Sequence, residues 1–240
     1  MLKIKDITLD LPEKDNLING ISLDIQPGKL TVITGPNGGG KTSFAKLIAG
    51  LYVPTKGEIY LDDENITNMS ITERANLGIA YAFQQPVSFK GLTVKQLMEI
   101  SAGNRMSEIG LCHLLENVGL CAREYMDREM DSHLSGGEMK RIEIATVLAR
   151  PAKYVIFDEP EAGIDLWSFT SLIETFKKLK EDEDRALLII SHQERILEIA
   201  DYIAVVSEGR IEKYGTSEQV LPDLVNGGFR AHCPKGKEMF

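Results

Sequence analysis

The sequence has no apolar run approaching the roughly 18 residues needed to cross a bilayer. Its apolar runs, such as "YVIF" and "ALLII", have the length of buried strands. The start, "MLKIKDITLD", alternates as a strand does and lacks the apolar core of a signal peptide. Cysteine is scarce. Cys112, Cys121 and Cys233 are too few and too widely spaced for a disulfide framework, which points to a reducing, cytoplasmic setting. Positive charge is also in deficit, with 27 Lys and Arg against 36 Asp and Glu and a net charge of −9. A chain gripping long DNA or RNA needs the opposite balance, so no nucleic-acid partner is expected. A small phosphate ligand held by backbone N–H groups stays compatible with an acidic protein. Aromatic residues make up only 7%, with one tryptophan, Trp167, and none in the stretch "LDLPEKDNLI".

What is present reads as one α/β domain of 240 residues. Strand-like pieces "KIKDITLD", "INGISLDI", "LTVIT" and "GEIYLDD" fill the first sixty positions, punctuated by Gly28 and Gly57. From Thr93 to about Arg128 apolar residues recur at helical spacing, with Leu111, Leu114, Leu115 and Val118 forming a stripe. A further helix after Gly137 ends at Pro151. Strand "YVIFD", helix "LWSFTSLIETFKKLKE" and strand "ALLIISH" then alternate as a parallel sheet requires, and "YIAVVSEGRIEKYG" reads as a hairpin turning at Glu208–Gly209. The expected division is a core of residues 1–92 and 151–225, a helical subdomain of residues 93–150, and a C-terminal tail of residues 226–240.

The chemistry starts at "GPNGGGKT": Gly35, Pro36, Asn37, Gly38, Gly39, Gly40, Lys41 and Thr42. The glycines let successive N–H groups curl toward an anion, and the next helix adds its positive end. Lys41 can reach the β- and γ-phosphates of ATP, and the Thr42 hydroxyl can ligate Mg²⁺. In "YVIFDEP" two carboxylates leave the C-terminal end of a buried strand, where open α/β sheets bind ligands. Asp158 is placed to hold the hydration shell of Mg²⁺, and Glu159 to orient or deprotonate the attacking water. Gln84, after "GIAYAF", can offer its amide to both the metal and the water, and His192, after "ALLIIS", can donate to the γ-phosphate. "SHLSGGEMKR" resembles a second phosphate-binding helix start, one more than a single nucleotide needs.

These elements in this order resemble the ATP-binding cassette (ABC) ATPase superfamily: the phosphate loop, Gln84, "LSGGE", "FDEP", "EAGID" and His192. The resemblance spans Met1 to about Tyr214. It implies a P-loop NTPase core with a mixed, largely parallel sheet, an N-terminal antiparallel β region and an inserted α-helical lobe. It also implies ATP hydrolysis with Mg²⁺ and an ATP-dependent, head-to-tail homodimer. In that dimer Ser135, Gly136 and Gly137 close over ATP held by the other copy, and Asp165 lies across the seam. Where cassettes of transporters usually carry an adenine-stacking aromatic, Leu11 is the expected aliphatic replacement. Glu138 stands where many transporters have Gln, and is read as an acidic residue favouring a helix start.

The signature helix "SGGEMKRIEI", the segment "FQQPVSFKGLTV" and "SHQERILEIADYIAVVSEGRI" are most similar to SufC-type ATPases of iron–sulphur cluster assembly. That likeness implies a soluble scaffold partner of the SufB/SufD kind. Pro160 and the "EAGID" turn look closer to transporter cassettes, which keeps open a membrane subunit as the partner. A third class, regulation of translation or DNA repair, is disfavoured by the single cassette and the acidic balance. Met98, Met106, Met126, Met130 and Met139, with Cys112 and Cys121, read as packing in the helical lobe. "HC" at 232–233 has no metal-ligand spacing and reads as an exposed tail thiol.

Overall fold

The computed structural model describes residues 1–12, 14–131 and 133–225. The chain opens on two long antiparallel strands, β1 (Leu2–Leu11) and β2 (Lys14–Ile25), then enters the interior as β3 (Leu30–Thr34). Helix α1 (Lys41–Ala49) follows the glycine loop. β4 (Lys56–Leu61) and β5 (Glu64–Asn65) complete a four-stranded sheet in the order β2-β1-β4-β5. Helix α2 (Ile71–Asn76) leads into β6 (Ile79–Ala82). The stretch from 89 to 149 holds β7 (Phe89–Thr93), α3 (Val94–Ala102), α4 (Glu108–Asn117), α5 (Ala122–Tyr125), β8 (Glu129–Met130) and α6 (Gly136–Ala149). Strand and helix then alternate through β9 (Tyr154–Asp158), α7 (Leu166–Lys180), β10 (Ala186–Ile190) and α8 (Glu194–Glu198). The hairpin β11 (Tyr202–Ser207) and β12 (Arg210–Thr216) and helix α9 (Ser217–Val225) close the described chain.

The central sheet runs β12-β11-β3-β10-β9-β6, parallel throughout except for β12. Every residue of β3, β9 and β10 is buried, so these strands are covered on both faces, as their largely apolar sequences suggest. Alternation assigns the two faces. Val155 and Phe157 pack with α3, α4 and α6, whereas Tyr154 and Ile156 pack with α1 and the antiparallel sheet. The observed architecture is therefore the α/β one expected, with an antiparallel β region at the start and helices inserted before β9.

Register decides where the chemistry falls. Ile190 pairs with both Ile33 and Asp158, and Ala82 pairs with Phe157. The exits of β3, β10, β9 and β6 therefore share one edge of the sheet, and the residues just beyond them converge there.

Some elements went unread in the sequence. Helix α2 is only six residues long, fixed by a capping box between Ser70 and Glu73. Its Arg74 is fully buried and donates from Nε to Met69 O (3.1 Å), from Nη1 to Leu47 O (2.6 Å) and Ile48 O (2.9 Å), and from Nη2 to Thr67 O (2.7 Å). The cation thus sits on the carbonyl end of α1, where the helix dipole is negative. The β7–β8 pair was likewise not expected. Of the methionines, Met98 and Met130 lie in the core and Met106, Met126 and Met139 pack against it, as does Cys112, whereas Cys121, expected to pack as well, is exposed. The tail of residues 226–240, with His232 and Cys233, lies outside the described residues.

Candidate nucleotide site

The glycine loop is closed by contacts that admit no side chain. At Gly35 (φ 129°) an added Cβ would stand 2.1 Å from Val206 O. At Gly40 (φ 103°) it would stand 2.8 Å from Leu17 O. Glycine is thus required both for the left-handed turn and for the approach of β11 and β2. Lys41 is buried, and its ammonium donates to Gly35 O (2.8 Å) and Pro36 O (2.9 Å). Burial lowers its pKa, and Glu159 and Asp158 oppose that shift. A cavity of about 400 Å³ lies over this loop, lined by Asn37, Gly38, Lys41, Thr42, Gln84 and Glu159 among others. Leu17 is its apolar edge. Leu11, expected to meet the nucleobase, is not in that lining, although both leucines pack against the same core of the antiparallel sheet.

Beside the loop, the Thr42 hydroxyl donates to Asp158 Oδ1 (3.1 Å) and the Tyr81 hydroxyl to Asp158 Oδ2 (2.8 Å). Asp158 is wholly buried at the end of β9, and burial raises its pKa despite these two donors. One residue on, Glu159 takes a left-handed backbone (φ 47°), which is strained for a side chain of its size, and its N–H bonds Ile190 O (3.0 Å). Gln84 Nε2 donates to Glu159 Oε2 at 2.7 Å, so the two sequence candidates meet directly. His192 Nδ1 lies 3.5 Å from Thr34 Oγ1, and burial followed by Lys41 lowers its pKa. A neutral ring keeps one N–H as a donor. Behind it, Ser191 donates to Glu161 Oε1 (2.6 Å), while Glu161 Oε2 is buried without a partner and the carboxyl is raised by burial.

The oxygens of Thr42, Asp158 and the Gln84 amide form a hard donor set suited to Mg²⁺. No cluster of three or more His, Cys, Asp or Glu side chains that could hold a metal occurs among the described residues. A metal here would therefore also lean on phosphate oxygens and water. A cation beside Asp158 would supply the charge that its burial calls for.

The signature residues form a second cluster, absent from the lining of the phosphate-loop cavity. Ser135 is the N-cap of α6: its Oγ accepts from Glu138 N (3.2 Å), and its N–H donates to Glu138 Oε2 (2.7 Å). Tyr125 also donates to Glu138, and these bonds lower that carboxyl to about 2. Glu138 is thus a helix-start residue, as its position implied. Gly136 has open space above it, whereas a Cβ on Gly137 would stand 2.6 Å from Gly163 O. Asp165 caps α7 by accepting from Trp167 N and Ser168 N, each at 3.0 Å.

Two residues near Gln84 were missed. Lys140, fully buried in α6, donates to Phe83 O, to Gln84 O (3.3 Å) and to Glu143 Oε2 (3.3 Å), and Glu143 Oε1 accepts from Phe83 N (2.9 Å). A signal was available, since Lys140 shares a face with Ile144 and Leu148 at a spacing of four. Together the pair clasps both sides of one peptide segment, the one that delivers Gln84.

Residues 18–162 match the family model described as ABC transporter. The chain is 34% identical to an uncharacterised ABC transporter ATP-binding protein of Methanocaldococcus jannaschii, across 92% of this chain and 90% of that one. It is 30% identical to a probable ATP-dependent transporter of Cyanophora paradoxa, with 91% and 89% covered. A solved ATP-binding cassette of an ABC transporter, in its ADP conformation, superposes with a TM-score of 0.78 at 27% identity and 95% coverage of each chain.

Proposed function

Because the chain belongs to the ABC transporter family as an ATPase cassette, we propose that it is the ATP-hydrolysing subunit driving a membrane transporter from the cytoplasmic side. In this reading the core, residues 1–92 and 151–225, holds the nucleotide, and the helical lobe, residues 93–150, presents the signature turn to a second copy. The N–H groups of residues 38–41 and the Lys41 ammonium take the β- and γ-phosphates, and Leu17 supports the base. Thr42, Asp158 and Gln84 would hold Mg²⁺, which when bound would withdraw charge from the phosphate oxygens. Glu159 orients the attacking water and takes its proton, held in place by the Gln84 amide. His192 donates to the γ-phosphate. Ser135, Gly136 and Gly137 close over the nucleotide of the other copy, so two chains enclose two ATP molecules. Closure of the pair then moves whatever is docked on it.

One observation carries the transporter reading. Residues 83–89 have the Gln84–Glu159 bond near one end, and three of them border an apolar groove of about 300 Å³. Phe83, Val87 and Phe89 line that groove with Ile71, Leu97 and Val147, and Val87 and Phe89 are exposed. A short helix of a membrane subunit, apolar face inward, fits such a groove and would push directly on the segment that positions Gln84. The relatives named as transporter proteins support the same partner.

A second reading replaces the membrane subunit with a soluble SufB/SufD-like iron–sulphur scaffold. It is favoured by the aliphatic Leu17 at the edge of the nucleotide cavity and by the Glu138 signature helix. A Val87→Cys variant, cross-linked in native membranes and cytosol under anaerobic conditions and then purified, separates the two. A polytopic membrane protein is expected. Capture of a soluble protein carrying iron and sulphide overturns the transporter reading in favour of the second.

A further inference from the structure

Trp167 has no role in the site described, yet it is the only tryptophan in the chain and is 82% exposed. Its neighbour Leu166 is 67% exposed, so two large apolar side chains face outward from the first turn of α7. Exposed apolar residues scattered singly need no explanation, but an adjacent pair on one turn does.

This turn is not free to move independently of the signature turn. Arg141 of α6 donates from Nε to Gly137 O (3.3 Å), and from Nη1 to Gly119 O (3.1 Å) and Ser168 Oγ (2.7 Å). Ser168 Oγ in turn donates to Asp165 Oδ2 (2.6 Å), and Asp165 accepts from the N–H groups of Trp167 and Ser168. The backbone of Gly137 also lies close enough to Gly163 to exclude a Cβ. The starts of α6 and α7 are therefore joined by a guanidinium fork that reaches the α7 cap through Ser168 and by a close backbone approach. Wherever Ser135–Gly137 goes, Trp167 goes with it.

We infer that Leu166 and Trp167 are an apolar anchor of the seam between two copies of this chain, buried when the nucleotide-bound pair closes. This rests on the proposed closure, in which Ser135–Gly137 meet the other copy's nucleotide. The occupant is then a second copy, because the patch is continuous with the turn that must contact it. In a two-fold pair the same turn is buried twice. A tryptophan covers about 150–250 Å² of the roughly 800 Å² that each partner buries in a stable interface. It is thus large enough to act as a hot spot.

The lone tryptophan makes the test direct. The Glu159→Gln protein is titrated with Mg²⁺–ATP at several protein concentrations, following Trp167 emission, acrylamide quenching and mass by analytical ultracentrifugation. Expected is a blue shift with loss of quenching that tracks dimer formation. Trp167→Gln, in the same background, should weaken dimerisation about 30-fold. Its binding of a fluorescent ATP analogue as a monomer should stay unchanged. A nucleotide-dependent dimer in which Trp167 remains fully quenchable overturns the anchor and leaves the closure standing. The absence of any nucleotide-dependent dimer overturns both.

Discussion

Replacing Lys140 by methionine tests whether the α6 clasp sets the position of Gln84. The ammonium is fully buried and serves Phe83 O, Gln84 O and Glu143, while Glu143 is 12% exposed and also accepts from Phe83 N. Removing one partner of a buried pair typically costs about 3–5 kcal/mol. Glu143 keeps its bond from Phe83 N and some solvent, so the lower end applies, about 3 kcal/mol. For a chain of this size that corresponds to a melting point lower by about 6–12 °C. Glu143→Gln retains an acceptor for Phe83 N and leaves Lys140 its carbonyls, so it should cost about 1–2 kcal/mol. If the two act as one clasp, the double variant should fall short of the sum by about 1–2 kcal/mol. Urea unfolding of the four proteins at matched slopes measures that difference. Lys140→Met should also lower kcat more than it raises KM for ATP, because the Gln84–Glu159 bond is displaced. Additivity within about 0.5 kcal/mol, or a loss below about 1 kcal/mol for Lys140→Met, would refute the clasp.

Asp158→Asn should raise the melting point of the nucleotide-free protein by about 2–4 °C while abolishing Mg²⁺-dependent hydrolysis. Burial holds the folded carboxyl above its usual 3.8. Ionisation therefore opposes folding increasingly as pH rises through the folded value, and not at all below the unfolded one. The advantage of the asparagine variant should be fully developed at pH above the folded value and vanish below the usual 3.8; calorimetry showing a gain that grows on acidification would contradict this. Glu159→Gln should reduce ATP turnover at least about 100-fold, retain nucleotide binding and elute as a dimer with ATP on size exclusion. A monomeric, fully active variant counts against the mechanism. Arg74→Met removes a donor from four carbonyls, those of Leu47 and Ile48 in α1 and of Thr67 and Met69 before α2, and should destabilise the fold by about 3 kcal/mol in urea, with Arg74→Lys only a partial rescue because a point charge cannot reach all four.

The site residues at the sheet edge were legible because each follows an apolar strand. β3, β6, β9 and β10 announce themselves by composition, and parallel register then aligns Ile33, Ile190 and Asp158 and sets Ala82 opposite Phe157 without further information. Side chains whose role depends on contacts distant in sequence were not legible. The spacing of Lys140 from Ile144 and Leu148 hints at burial, but neither Lys140 nor Arg74 shows what it serves until the fold brings the carbonyls of Phe83 and Leu47 to them. The exchange of Leu11 for Leu17 has a similar cause. The β1–β2 ladder shifts register between Ile7, Leu9 and Leu11, and only pairing across the hairpin shows which leucine reaches the glycine loop. The proposed partner-facing half of the chemistry rests on family likeness, since nothing local to Ser135 says whose phosphate it would meet.

That Ser135 caps α6 outside the cavity of its own phosphate loop has a kinetic consequence. In the proposed pair, a lone chain carries two halves of two different sites, so dilute protein turns over ATP at a rate that rises with the square of its concentration. A partner that binds two copies side by side replaces bulk concentration by an effective one, in the millimolar range for a short tether. Such a partner would switch hydrolysis on by proximity alone, before it bends a single bond in the cassette.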